Sequence, residues 1–313
     1  MKKLMFKATD KDLRSCKYYR FEIGKEHATT GKIEACKNGF HACENPLDVL
    51  MYYPLIGSRF FVVKQRGAKD IEENKTASEK IVLEKELDLK SFIEYAVIHA
   101  RKYANTGYAA VLADSNDGSK IAVAGSHAQI AASGDSTQIV ASGESTWLAA
   151  AGTGSKLVAF RGNSALASSG YNSKLMSSGD ESRLAASGNN SEIAALGFRT
   201  GIVSSGSSST LKSFGDKSEI AATGFRSILV ASGGLSRLVA SGDNARITAS
   251  GCNSVVAAVG QDSMVSGCNG TLICLTHYVG GLPVKFVTGK IGEKGLKENV
   301  SYGLDRKGRF VEV

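Results

Sequence analysis

The chain has 313 residues, with 38 basic and 30 acidic side chains and a formal net charge of +8. That charge is uneven: 20 basic against 15 acidic residues over 1–106, 11 against 11 over 107–268, and 7 against 4 over 269–313. The neutral middle excludes a long basic groove for a nucleic-acid backbone, and no run of about 18 apolar residues exists to span a membrane.

The length leaves room for two or three structural units. The opening Met1-Lys2-Lys3-Leu4-Met5-Phe6-Lys7 has no apolar stretch after its lysines, so no secretory leader is expected. Cys16, Cys36, Cys43, Cys252, Cys268 and Cys274 are scattered and read as reduced thiols of a cytoplasmic protein.

Residues 1–87 read as an α+β domain. Residues 4–8 and 18–23 have strand character, and Asn38-Gly39 signals a turn. Asn45 is a good N-cap, Pro46 suits the first helical position, and Asp48 sits in the first turn, which predicts a short helix to about Tyr53. Residues 59–65 and 80–83 read as strands, with the charged stretch 69–80 as a loop. Cys16, Cys36, His41 and Cys43 are possible metal ligands, but they lack the paired knuckle spacing of zinc sites. They read instead as buried thiols and a hydrogen-bonded histidine, and no metal is expected.

The stretch Gly39-Phe40-His41-Ala42-Cys43-Glu44-Asn45-Pro46, the helix bearing Tyr52-Tyr53 and the strand Phe60-Phe61-Val62-Val63 resemble the middle of ADP-ribosyltransferase-type domains. Those domains set a Gly-aromatic strand and an aromatic-bearing helix against NAD. The resemblance implies Glu79 or Glu84 as the later glutamate. The first strand, Phe6-Lys7-Ala8-Thr9, lacks the His-Gly or Arg that grips the dinucleotide in that family. A relative of the fold without the activity is therefore expected, with no catalytic residues and no cofactor.

Residues 88–106 predict a helix. Leu89, Phe92, Ile93, Ala96, Val97 and Ala100 fall on one face. A solenoid exposes its core at each end, so this helix is expected to cap the coil near Leu112 and Ile121.

Residues 107–268 form eighteen nonapeptide units. Position one is Gly except at Asn116 and Arg161, position four is Ser or Thr except at Ala110, Ala128 and Ala245, and position six is aliphatic in every unit. Position eight is nearly always Ala or Ser, and position five varies freely. Fixed periods mean stacked repeats. The alternation of positions four, six and eight with five, seven and nine makes one short strand per unit. Two units close one coil, which predicts a mainly β fold: a β-solenoid of nine coils with position five outside. Gly at position one is expected to turn the corner through positive φ. All three prolines lie outside the array, as a continuous ladder requires. A helical solenoid is disfavoured by the repeated Gly. The pattern also lacks the repeated Asp of calcium rolls and the flat Thr ladders of ice-binding solenoids.

Residues 269–313 predict a small β cap, with strands at 271–278, 283–288 and 309–313. Exposed aromatics and arginines mark candidate interface anchors. These are Trp147 at an outward position, Phe160 and Phe214 at position nine, and Phe198-Arg199 and Phe225-Arg226 in turns.

The layout resembles uncharacterised phage and prophage proteins. Their Gly-Phe-His-x-Cys-Glu-Asn-Pro-Leu-Asp-Val motif is matched at residues 39–49, their tandem Ser-Gly-x-x-Ser-x-Leu-Ala-Ala array from Gly107, and their Phe-x-Glu-Val ending at residues 310–313. The resemblance implies a viral or prophage origin and supplies no activity. The expectation is a non-enzymatic binding protein in the host cytoplasm. Its rigid solenoid binds and inhibits a host defence protein or nucleoprotein, with no membrane contact and with homo-oligomers as an option. An NAD-using N-terminal domain and a structural fibre or adhesin component are the alternatives.

Overall fold

The computed structural model describes residues 4–16, 18–54, 57–72, 74–88, 91, 92, 95, 96, 99 and 111–313. The chain divides into two compact units, Met1–Ala104 and Asn105–Val313. No helix among the described residues is long and apolar enough to cross a membrane.

The N-terminal unit is an antiparallel sheet. β1 (Met5–Thr9) pairs with β4 (Arg59–Ile71), β4 with β5 (Thr76–Leu87), and β5 with both β2 (Glu26–Ala28) and β3 (Phe40–Ala42). Phe21, Phe40, Phe61, Val63, Ile81 and Leu83 form its core. Three local expectations need correction. The stretch 69–80, read as a loop, belongs to the β4–β5 hairpin, because the ladder satisfies the backbone whatever charge the outward side chains carry. The stretch 18–23 is no strand: Tyr18 has φ 63°, and the chain turns so that Phe21 enters the core. The helix after Asn45 is a single 3-10 segment, Pro46–Met51. Asn45 caps it by accepting from Leu47 N at 3.1 Å, and Pro54 ends any continuation by disfavouring helical geometry at Tyr53.

Most of the expected helix over 88–106, including Leu89, Ile93, Val97 and Ala100, lies outside the described residues. Residues 91, 92, 95, 96 and 99 are helical. Asp88 starts the helix by accepting from Ser91 N at 2.7 Å. Phe92 stacks on Phe60 with centroids 4.1 Å apart, and Tyr95 meets Phe6 at 5.3 Å. Phe92, one of the six residues of the expected apolar stripe, is thus engaged within the N-terminal unit. An amphipathic pattern fixes that a face is buried and leaves the partner open.

The second unit is a β-solenoid of about nine turns over residues 112–275. Strands of odd-numbered repeats form one parallel sheet and those of even-numbered repeats the other. Register is kept at eighteen residues: Leu148 sits between Ile130 and Leu166, and Leu157 between Ile139 and Leu175. The aliphatic sixth positions fill the space between the sheets, and small residues such as Ala141, Ala159 and Ala195 let the walls approach. At position four the hydroxyl bonds back to its own corner, as Thr137 Oγ1 does to Gly134 O at 2.7 Å and Ser209 Oγ to Gly206 O at 2.9 Å. This removes the cost of burying it.

The corner residue is position three. His127, Ser136, Asn163, Glu181, Arg199, Lys217 and Asp262 all have φ between 53° and 61°. The Gly at position one keeps ordinary φ, and at Gly134, Gly152, Gly188 and Gly206 it serves another purpose: a Cβ there would overlap the backbone carbonyl of the neighbouring coil. Position five is also not uniformly outside. Trp147, Arg183 and Arg237 on the odd sheet are exposed, whereas Gln138 and Lys156 on the even sheet are buried. Both buried side chains keep polar partners, as buried polar groups must.

The C-terminal strands close one end of the stack. Leu272–Val279 continues the odd sheet in parallel, Leu282–Lys290 folds back on it, and Tyr302–Leu304 pairs with both Met264–Gly267 and Phe310–Glu312. The expected strands over 271–278, 283–288 and 309–313 correspond to three of these four. Ile291, Leu296 and Tyr302 join the solenoid core and cover its last coil. Cys252 and Cys268 are disulfide-bonded with Cα atoms 5.1 Å apart. This corrects the expectation of six reduced thiols. Sixteen residues of separation is nearly one eighteen-residue coil, so the stacking brings the two together.

Candidate functional site

Two regions collect the chemistry-bearing side chains. On the solenoid, the odd sheet presents a column of small seventh-position residues, Ala131, Ala149, Ala167, Ala185 and Val203, at a regular one-coil spacing. Trp147 stands beside it, 62% exposed. Gln129, Trp147 and Arg183 at position five flank the column, and the result is a shallow apolar trough of about 650 Å³. Acidic residues at position two do not serve this face. Asp135, Asp180 and Asp243 each accept a backbone N–H of the next coil at 2.7 Å.

The expected anchors do not form one patch. Phe160, Phe198, Arg199 and Phe214 share the turn edge that leads from even strands to odd strands. Phe225 and Arg226 lie on the opposite edge, and Trp147 lies on the sheet face between. Several are engaged already. Lys212 lies 4.8 Å from the Phe214 ring, Lys217 lies 5.4 Å from Phe198, and Arg226 lies 4.9 Å from Phe225. Arg199 pairs with Glu181 at 3.5 Å. Phe160 and Phe214 are half-buried at the corner.

In the N-terminal unit, β1, β3, the 3-10 segment, residues 15, 16, 19 and 21 and the loop at 36–39 surround a pocket of about 450 Å³. Rings of Phe6, Tyr19, Phe21, Phe40, Tyr52 and Tyr53 line it. Lys7, only 6% exposed, extends from β1 into this setting. Its ammonium donates to His41 O at 3.1 Å and lies 5.1 Å from the Phe21 centroid and 5.8 Å from that of Tyr53. No carboxylate among the described residues pairs with it. Burial pushes its pKa down to about 8. The Tyr53 hydroxyl accepts from Cys16 N at 3.2 Å, and burial raises its pKa. Lys75 donates to Cys36 Sγ at 2.9 Å and pairs with Glu72 at 3.1 Å, and the thiol contact first of all holds its pKa up.

The structure therefore brings Cys16, Cys36, His41 and Cys43 around one pocket. His41 Nε2 accepts from Cys36 N at 3.0 Å, so the imidazole is occupied locally. Among the described residues no three His, Cys, Asp or Glu side chains converge as metal ligands would. Glu79 and Glu84 are not in the pocket lining. Glu79 accepts from Ala68 N at 3.1 Å in the β4–β5 bulge, and Glu84 lies 3.6 Å from Lys64. Lys7 carries no motif in the sequence. Its only signal is a lysine in the middle of the apolar run Met5-Phe6-Lys7-Ala8.

No curated protein and no solved structure matches the chain. The N-terminal unit is similar to one uncharacterised family: residues 3–95 match the model of a domain of unknown function, DUF7666.

Proposed function

We propose that the chain is a non-enzymatic binding protein whose solenoid docks a protein partner on the odd-repeat sheet. The observation that carries this reading is the apolar trough along Ala131, Ala149, Ala167 and Ala185 with Trp147 exposed at its side. An apolar patch with an exposed tryptophan marks an interaction surface. The equal numbers of acidic and basic residues over 107–268 favour a protein over a polyanion. The reading without catalysis is supported by Glu79 and Glu84, which are engaged at Ala68 and Lys64 away from the pocket lining. In the setting implied by the resemblance to phage and prophage proteins, the partner is a host or defence protein in the host cytoplasm, and binding blocks it.

Trp147 is the only tryptophan in the chain, so its fluorescence reports on this face alone. Protein captured from host lysate by the wild type is compared with that captured by Trp147→Arg and Ala167→Arg. A partner lost with both variants, which also shifts Trp147 emission to shorter wavelength when added back, supports the reading. Equal capture by all three proteins overturns it.

A further inference from the structure

We propose that the N-terminal pocket is a binding site for a small aromatic oxyanion, with the negative group on Lys7 and the ring held among Tyr19, Phe21 and Tyr53. The argument starts from charge. A lysine buried this deeply is costly unless something compensates it. Lys7 has one backbone carbonyl, His41 O, two ring faces and the thiols of Cys16 and Cys43 around it, and no carboxylate among the described residues pairs with it. Ring faces and a carbonyl dipole attract a cation but leave its charge unneutralised. An oxyanion entering the pocket supplies the missing counter-charge in a low-dielectric setting, where such a contact is strong.

The remainder of the lining selects what carries the anion. Six Phe and Tyr rings line the space, and about 450 Å³ falls in the range of small-ligand sites. Tyr19 is fixed through its hydroxyl to His27 Nδ1 at 3.0 Å, and Tyr53 through Cys16 N at 3.2 Å. Their rings are therefore held in place before a ligand arrives, which limits the ordering cost of binding. Aromatic pairs favour offset or edge-on contact, so a planar ring gains more here than an aliphatic chain of equal area. The depressed pKa of Lys7 fits the same picture: without an anion the pocket disfavours the charged amine, and a bound anion restores it.

The test uses the full chain and four probes: phenyl phosphate, benzoate, inorganic phosphate and benzyl alcohol. Binding is measured by titration calorimetry, and acetylation of Lys7 by acetic anhydride is mapped by mass spectrometry. One of the two aromatic anions should bind and protect Lys7, and which one does separates a phosphate monoester from a carboxylate. Inorganic phosphate and benzyl alcohol should each bind at least about tenfold more weakly. Lys7→Met should abolish aromatic-anion binding while circular dichroism stays unchanged. Affinity in the wild type should fall as pH rises above the range in which the bound lysine is charged, a readout that stands even if the variant fails to fold. The proposal is overturned if Lys7→Met binds benzoate or phenyl phosphate like the wild type. Benzyl alcohol binding as well as benzoate, or no aromatic anion protecting Lys7 at millimolar concentration, also overturns it.

Discussion

The Cα of Gly206 packs against the carbonyl group of Gly188, one coil away, so closely that a methyl group on Gly206 would overlap the carbonyl oxygen. Its neighbour Ser208, two residues on, has φ 56° and turns the corner. The two positions of one repeat are thus constrained by different physics. Gly206→Ala should destabilise the solenoid by about 1–3 kcal/mol through overpacking. Ser208→Gly should be within about 0.5 kcal/mol of neutral, and Ser208→Val should cost about 1–2 kcal/mol for a left-handed β-branched residue. Denaturant midpoints followed by Trp147 fluorescence give the order. Equal costs for Gly206→Ala and Ser208→Gly would show that coil stacking is looser than described.

Leu184 is 1% exposed and its neighbour Arg183 points out. Leu184→Asp loses the roughly 2–5 kcal/mol of a buried leucine and adds an unpaired carboxylate between the sheets. Arg183→Asp should change stability by less than about 0.5 kcal/mol. Thermal melts that find the two equally damaging would invert the inside–outside assignment of the repeat.

Phe92 belongs to the N-terminal unit by its stack on Phe60. Phe92→Ala should cost that unit about 3–5 kcal/mol. Hydrogen exchange should accelerate in Met5–Thr9 and Arg59–Ile71, and far less in the solenoid strands. Acceleration confined to residues near Leu112 and Ile121 would instead assign the helix to the first coil.

Lys7 makes a pH prediction with a definite sign. Its folded pKa, about 8, lies below its ordinary 10.5, so between those values the unfolded chain binds more protons. Stability of the N-terminal unit therefore rises as pH climbs from 8 towards 10.5, by on the order of 3 kcal/mol. Below pH 8 the cost of the buried charge is fully present. Lys7→Met should raise stability at neutral pH and flatten this part of the profile. The check is the difference between wild-type and variant denaturation midpoints across that window; a constant difference would mean that Lys7 is solvated.

The repeat register was legible in the sequence, because a period-two strand and an aliphatic sixth position leave only one way to bury Leu148, Leu166 and Leu184 together. The role of the first-position Gly was not, because its constraint is a carbonyl eighteen residues away and not its own φ. The amphipathic stripe through Phe92 announced a buried face, yet that Phe92 stacks on Phe60 is a fact about which local periodicity carries no information. The pocket lay furthest from view. His41 lies in the 39–49 motif, but nothing in the sequence joins it to Lys7 and Phe21, and the pocket residues meet only because the antiparallel pairing of β1 with β4, and of β5 with β3 and β2, folds distant segments onto one side of a sheet. Sequence periodicity thus determined the solenoid, where each contact repeats at a fixed interval. Tertiary structure alone decided the environment of Lys7, because desolvation and missing counter-charge are properties of the whole enclosure.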